Sequence, residues 1–478
     1  MAAARASTLG DRLKRIRAGS GAPSSKTLRA APGVSPKASA GFEGPQCSIT
    51  GDCPLGRDWK LVAPLVAERT ISIEIPFSDM PAVLDTRLTA WCWRKEGVWA
   101  DSECGVDVSR LLFFDLETTG LSSGAGTVAF LAAFGRIHMP PDNSAAARIG
   151  ALPVLSIRQY LLLDYGGEAD FLEALHRAFE GDRYEASSNR LPHSSEIDFD
   201  DKPVIVSFNG KTYDSQLVRT RFVMNAIAPP RYLELDLLYP ARRLFRTALP
   251  SCALMELERS LLEIVRVDDL PGALAPAAWF SFLKTGEKTA LERVAEHNAR
   301  DLIGLAGLAG LLDGAFRAPK DFAIRHPASL PGLASIFVEL DALVSHETDG
   351  GEAVSVGRTL LEMAAQHHLP SRFLLARLLR SEGQRTRARD LFTALCDDPS
   401  FDDLAPGMRA RSLRAAAILA RLDMDGANAL RLTRAELSIS RLSTADRLRA
   451  ERRLERFEAI FSDDLDRKTG AELPPLSQ

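Results

Sequence analysis

The sequence predicts an α/β domain, a mixed central sheet flanked by helices, followed by an all-α helical-repeat region. Three observations carry this. Between residues 111 and 313, short apolar runs of strand character alternate with helix-length amphipathic segments. One run, Leu111-Leu112-Phe113-Phe114-Asp115-Leu116-Glu117, reads as a buried strand that ends in two carboxylates before a Gly-rich break. From 352 to 461 the periodicity is almost wholly helical.

Composition bounds the reading. The chain has 478 residues, 46% hydrophobic and 26% charged, a globular balance with room for about two to four domains. Its net charge of −4 gives no overall basic field, so any nucleic-acid contact must come from local patches. Cysteines stand at 47, 53, 92, 104, 252 and 396, with no C-x-x-C pair and no zinc-finger spacing, which suits a reducing compartment. No apolar run reaches the roughly 18–20 residues of a membrane span, and the N-terminus lacks an apolar signal core. A cytoplasmic protein without membrane contact is expected.

Residues 1–57 read as a disordered tail; up to residue 45 it holds eight Lys and Arg against Asp11 and Glu43. Residues 58–109 read as a small β-rich lead-in around the alternating Ile71-Ser72-Ile73-Glu74-Ile75. The main domain spans 110–316. Strands are predicted at 111–117, 127–137, 154–163, 202–208 and 232–237, and helices near 167–180, 213–226, 239–246, 252–263 and 287–313. Residues 181–202 are polar, and 265–280 read as a Pro/Gly-broken loop. Residues 317–351 read as a linker with one helical piece, 352–462 as a helical domain and 463–478 as a flexible tail. In the helical domain, Leu375, Ala376, Leu379, Ala388, Phe392, Leu395 and Pro399 have the spacing of a tetratricopeptide-like repeat. Eighteen Arg against twelve acids between 371 and 456 make either solvated helix faces or a docking surface for phosphate or protein.

Three constellations carry chemistry. Strand side chains alternate faces, so Asp115 and Glu117 point the same way, roughly 6–7 Å apart. Two anions on one face of a central strand call for a cation, and carboxylate oxygens suit Mg²⁺ or Mn²⁺; a solvated strand end is the bland alternative. The second is Ser207-Phe208-Asn209-Gly210-Lys211-Thr212-Tyr213-Asp214, a strand-to-helix turn with Asp214 in the first helical turn. Helix-dipole preference and an N-cap at Thr212 would explain it without function. The third, Glu296-His297-Asn298-Ala299-Arg300-Asp301, places His297 and Asp301 at i and i+4 on one helix face, where a plain ion pair is the rival reading.

Taken in order, D-x-E on a strand, Asn-x₃-Tyr-Asp at a turn and His-x₃-Asp on a late helix resemble the three motifs of the DEDD 3′–5′ exonucleases, the DnaQ-like branch of the ribonuclease H fold. The wider text, with Gln159-Tyr160 and Leu235-Asp236-Leu237-Leu238, is similar to the YprB-like ribonuclease H-like family, some members of which carry a tetratricopeptide-like tail. The resemblance covers about residues 108–315. It implies a ribonuclease H-like domain in which Asp115, Glu117, Asp214 and Asp301 hold two divalent cations and His297 activates water. It further implies that Thr118, Thr119, Gly120 and Leu121 line the pocket for the 3′-terminal nucleotide.

One departure stands out. His-type relatives place His five residues before the last Asp and Tyr-type relatives place Tyr four before; here His takes the Tyr spacing. On a helix, i+4 keeps His297 on the Asp301 face, whereas i+5 turns it by about 140°. Neutral imidazole, ordinarily available near pH 7, keeps His297 the candidate base. Asn209 and Lys211 are candidate substrate contacts, with turn capping and charge balance as their alternatives. The expected activity is 3′–5′ hydrolysis of DNA or RNA ends, probing single strands first. Rival readings are a non-catalytic ribonuclease H-like scaffold and a proofreading accessory that binds a protein partner through the helical tail.

Overall fold

The computed structural model describes residues 53–75, 80–94, 105–120, 126–139, 152–181, 203–344 and 355–469. Most of the basic tail, the 182–202 segment and Leu121 lie outside them. Seven strands form one sheet: β1 (Lys60–Ala63), β2 (Val66–Glu74), β3 (Leu111–Thr118), β4 (Ala129–His138), β5 (Val154–Leu162), β6 (Val204–Ser207) and β7 (Leu233–Asp236). Their order is β1-β2-β5-β4-β3-β6-β7. The β1-β2-β5-β4-β3 run is antiparallel throughout, while β3-β6 and β6-β7 are parallel. The acidic strand β3 therefore sits where the antiparallel half meets the parallel half, the kind of position where α/β sheets open a crevice at strand ends.

The helices around the sheet are α1 (Thr86–Trp93), α2 (Glu168–Glu180), α3 (Asp214–Met224), α4 (Leu238–Phe245) and α5 (Leu254–Leu257), the last running into a π-helical turn at Glu258–Leu262. Next come α6 (Ala275–Thr285), α7 (Thr289–Arg317), α8 (Pro319–Arg325) and α9 (Leu330–Val344). Strand alternation sorts β3 between two cores. Leu111 and Phe113 join Leu302 and Leu305 of α7, whereas Leu112, Phe114 and Leu116 join Phe171, Phe222 and Trp279 of α2, α3 and α6. This mixed, helix-flanked sheet is a ribonuclease H-like fold.

Three stretches differ from the sequence expectation. The lead-in is not separate, because β2 pairs with β5 over nine residues inside the main sheet. The loop expected up to 280 ends early: Pro276 sits in the first turn of α6, where its missing N–H costs nothing, and Trp279 packs against Phe130 at 5.3 Å between ring centres. The expected linker is mostly helix; Pro319 starts α8 rather than breaking it, and Leu333, Ala334, Ile336 and Phe337 of α9 are buried.

The C-terminal region is all helix: α10 (Val356–Ala365), α11 (Leu369–Ser381), α12 (Arg385–Cys396), α13 (Pro406–Leu422), α14 (Gly426–Leu437) and α15 (Thr444–Thr469), each packed on its neighbour in sequence. Its arginines are heavily used within the region. Arg372 pairs with Asp398, Arg389 with Asp423, Arg409 with Asp402, and Arg414 and Arg453 both with the fully buried Glu436. No single helix among the described residues is long and apolar enough to cross a membrane.

Candidate active site

The site is built around a row of residues that crosses the sheet. Arg69 on β2 lies opposite Gln159 on β5, Gln159 opposite Ala133 on β4, and Ala133 opposite Asp115 on β3. The small Ala133 leaves room for α7 to bridge the row. Gln159 Nε2 donates to the carbonyl of Ala295 at 2.8 Å and to Asn298 Oδ1 at 2.7 Å. Asn298 Nδ2 in turn donates to Asp115 Oδ2 at 2.6 Å. Arg69 Nε closes the far end on Gln159 Oε1 at 2.5 Å. A fully buried amide must spend its donors and acceptors locally, and Asn298, with no solvent exposure, spends a donor on aiming Asp115. Past Glu117 a register shift leaves Phe130 of β4 unmatched, a bulge that re-aims the strand end. There Tyr213 Oη donates to the Gly120 carbonyl and lies 3.1 Å from Thr118 Oγ1. Thr119 Oγ1 accepts from the Val128 amide at 3.0 Å, so this hydroxyl serves the turn.

The second motif forms a 3₁₀ turn, Gly210–Thr212, leading into α3. Asn209 adopts the left-handed conformation at φ 67°, and its Oδ1 accepts from Thr212 Oγ1 at 2.7 Å. Thr212 thus holds Asn209 and does not cap α3, as the sequence alone allowed. Asp236, at the end of β7, accepts from the amides of Asn209 (2.8 Å), Lys211 (3.2 Å) and Leu238 (3.1 Å). Glu234, two residues earlier and buried, accepts from Ser207 Oγ at 2.6 Å and Ser215 Oγ at 2.9 Å. These two acids fix the turn that delivers Asp214, itself 8% exposed.

On α7, His297 and Asp301 share one face, as their spacing predicts. His297 Nδ1 lies 2.9 Å from Asp269 Oδ2, and its Nε2 lies 3.6 Å from Asp301 Oδ2. A carboxylate only accepts, so Nδ1 carries a proton toward Asp269, and Nε2 is the nitrogen that faces Asp301. Asp301 Oδ1 is held at 2.6 Å by Arg266, whose side chain is only 4% exposed. Arg266 also donates two bonds to Glu258, at 2.6 and 2.7 Å, and one to Asp269 at 3.1 Å. Gly304 makes this possible, since a Cβ there would fall 1.6 Å from Glu258 Oε1. Gly304→Ala is therefore expected to destabilise the chain by about 1–3 kcal/mol, the usual cost of overpacking; urea unfolding measures it, and an unchanged midpoint contradicts the packing described. Arg266, Asp269 and Glu258 were not singled out in the sequence. The signal available was the run Arg266-Val267-Asp268-Asp269, unremarkable without its fold.

The carboxylates sense one another. Burial first, then the charge of Asp301, pushes Asp115 up to about 7. Burial followed by Asp115, Asp301 and Asp214 pushes Glu117 up to about 9. Burial and then Asp115 hold Asp214 well above the usual carboxylate range. Asp269 goes the other way: burial opposes its charge, but hydrogen bonds from His297 and Arg266 prevail and lower it. Arg266 stays charged, because its bond to Glu258 and the charge of Asp301 outweigh its burial.

Four mutually repelling hard-oxygen groups suit a divalent cation by donor chemistry. Among the described residues, however, no three of His, Cys, Asp or Glu stand ready to enclose a metal ion. Asp115 Oδ2 turns to Asn298 and Asp301 Oδ1 to Arg266, so the acids share a charge field while aiming at separate partners.

The chain carries a ribonuclease H-like domain: residues 169–312 match the RNase_H_2 family model of the RNase_H superfamily. That match includes Asp214, His297 and Asp301 and leaves out β3 with Asp115 and Glu117. The chain is also similar to the uncharacterized protein YprB of Bacillus subtilis (strain 168), at 32% identity over 220 residues, 45% of this chain and 45% of that protein. The matched part thus spans less than half the length of this relative.

Proposed function

We propose that this protein is a metal-dependent 3′–5′ exonuclease acting on nucleic acid, with single-stranded ends as its first substrates. One observation carries the reading. Burial and neighbouring carboxylates, Asp301 among them in each case, raise Asp115, Glu117 and Asp214, which come from a strand and a helix, and His297 Nε2 lies 3.6 Å from Asp301 on a second helix. These four acids would hold two Mg²⁺ or Mn²⁺ ions. When bound, such ions lower the pKa of a water and stabilise the attacking and leaving oxygens of phosphodiester hydrolysis.

The chain's own groups do the rest. His297 Nε2 accepts the proton of the attacking water. Asp269 orients the ring so that Nε2 faces Asp301, by accepting from Nδ1. Asn298 fixes Asp115, and the turn of Thr118, Thr119 and Gly120, tied down by Tyr213, forms a wall for the terminal nucleotide; Leu121 is proposed to continue it. Asn209 shapes the turn, while Lys211 faces the phosphates. The tetratricopeptide-like tail is proposed as a protein-docking region.

His297→Ala is expected to lower kcat by about 10²–10⁴-fold, as loss of a general base does. Asp269→Asn, which lets Nδ1 accept instead of donate, is expected to lower kcat by about 10–100-fold with KM unchanged. Steady-state kinetics on oligonucleotides with Mn²⁺ read both; a changed KM at constant kcat would make Asp269 a substrate contact instead. The second reading, a non-catalytic scaffold, draws on the carboxylates' separate partners. Purified protein that degrades neither single-stranded DNA nor RNA in Mg²⁺ or Mn²⁺ decides for it.

A further inference from the structure

Arg266 closes a ring around the candidate base. Its Nη1 donates to Asp269 Oδ2 at 3.1 Å, and His297 Nδ1 lies 2.9 Å from the same oxygen. On the other side of the imidazole, Nε2 faces Asp301 Oδ2, while Asp301 Oδ1 lies 2.6 Å from Arg266 Nη2. Three links of the ring are thus short polar contacts. The fourth, from Nε2 to Asp301 Oδ2, stands open at 3.6 Å, too long for a hydrogen bond. Arg266 and Asp269 come from the loop after the π-helical turn, and His297 and Asp301 from α7, so the ring also joins two elements.

The guanidinium is held firmly in place. Nε and Nη2 fork onto the two oxygens of Glu258 at 2.7 and 2.6 Å, and the Arg266 side chain is 4% exposed. Its loop is fastened to α7 from outside. Arg293 donates to the Asp268 carbonyl at 3.1 Å, and Arg300 donates to the Val267 carbonyl and to Asp269 Oδ1, both at 3.3 Å. Val265 and Val267 are 72% and 69% exposed, so the backbone turns Arg266 inward between two outward valines.

Stability does not account for this arrangement. Exchanging a buried ion pair for apolar side chains of like volume is often neutral or better. Geometry does account for it. At i and i+4 on one helix, His297 and Asp301 are placed to pair with each other, and a base so paired is occupied. A planar guanidinium with several donors takes Asp301 by Oδ1 instead, and the same plane holds Asp269 beside Nδ1.

We infer that Arg266 is a positioning residue: by holding Asp301 with one nitrogen and Asp269 with another, it keeps His297 Nε2 out of an ion pair with Asp301 and available to the attacking water. The inference rests on the exonuclease reading and adds to it a residue that acts through the base. It also gives the departure in His297 spacing a counterpart, a device that keeps the i+4 pair apart.

The test uses the full-length chain in two variants. Glu258→Met/Arg266→Met removes both charges together, and Arg266→Lys keeps a cation opposite Glu258 but lacks the fork. Urea unfolding checks that each is folded. On single-stranded DNA and RNA 12-mers in Mn²⁺, both variants are expected to lose about 10–100-fold in kcat at unchanged KM. Crystal structures of the wild type and the double variant, grown in EDTA, read the ring itself. In the double variant alone, His297 Nε2 is expected to close on Asp301 to about 2.9 Å, an ordinary hydrogen-bond length. Wild-type kcat in either folded variant overturns the positioning role and leaves the exonuclease reading standing. A lowered kcat with the His297–Asp301 gap and the Asp269 contact both unchanged overturns it as well. A raised KM at constant kcat makes Arg266 a substrate-binding group, again against the inference. A wild type that degrades neither 12-mer in Mg²⁺ or Mn²⁺ overturns the exonuclease reading and this role with it.

Discussion

Asp115→Asn is expected to lower turnover on single-stranded oligonucleotides at least about 1000-fold, while making the chelator-treated protein more stable. The two effects share a cause. Asp115 is one of the four acids proposed to hold the metal ions, and losing one ligand from a site that stabilises a transition state by several kcal/mol costs about 4 kcal/mol or more, hence about three decades. The same carboxylate is unwelcome in the fold without a cation. Burial and the charge of Asp301 raise its proton affinity to about 7, and Glu117 goes to about 9. A group whose folded pKa lies above its unfolded value stabilises the fold most below the unfolded pKa, and that stability is lost as pH rises through the folded one. In EDTA the melting temperature of the wild type should therefore fall from about pH 4 toward pH 9. The substituted amide cannot ionise, so the variant should lose less over this window and melt higher than wild type at pH 8. Adding Mn²⁺ should raise the wild-type melting temperature and leave the variant's nearly unmoved. Scanning fluorimetry at three pH values reads all of this; a wild type with a flat profile in EDTA sinks the electrostatic account, and an active Asp115→Asn sinks the site.

Arg266→Ala is expected to lose about 3–5 kcal/mol of stability, the typical result of stripping one partner from a buried ion pair. Arg266 is 4% exposed and Glu258 1% exposed by side chain, and the substitution leaves Glu258 charged with no guanidinium opposite it. Asp301 loses its partner as well. The penalty belongs to the orphaned charge and not to the pair, so Glu258→Met/Arg266→Met should recover at least half of it. Urea midpoints of the wild type, single and double variants decide the matter. A double variant no better than the single would mean that packing, not charge, sets the cost.

Much of this site was legible in the sequence. Two carboxylates at period two in an apolar run have only one face to share, and β3 places Asp115 and Glu117 as that rule requires. His297 and Asp301 lie on one helical turn, so local geometry fixed their relation, and the structure brings His297 Nε2 to within 3.6 Å of Asp301. What escaped was the support. Asn298 meets Asp115 across 183 residues of chain, and Arg69 meets Gln159 across 90. Polar side chains at such separations carry no periodic signature; their pairing is written in sheet register and in the approach of α7. The Arg266 network escaped for the same reason, with the added detail that its room depends on a missing side chain at Gly304. The expected linker at 317–351 misled differently: Pro319, Pro327 and Pro331 look like breaks, yet Pro319 falls in the first turn of α8 and is accommodated there.

The row that runs from Arg69 to Asp115 has a bearing on how much of this chain counts as the unit of chemistry. The family match starts at residue 169, and the acidic strand at 111. Yet the hydrogen bonds that orient Asp115 reach back to an arginine on a strand that begins at Val66. The stretch that recognition by resemblance picks out is thus shorter than the stretch that has to be inherited, expressed or transplanted intact. A shortened gene opening at the D-x-E strand would keep every candidate ligand and still lose the outermost strands and the arginine that anchors the row.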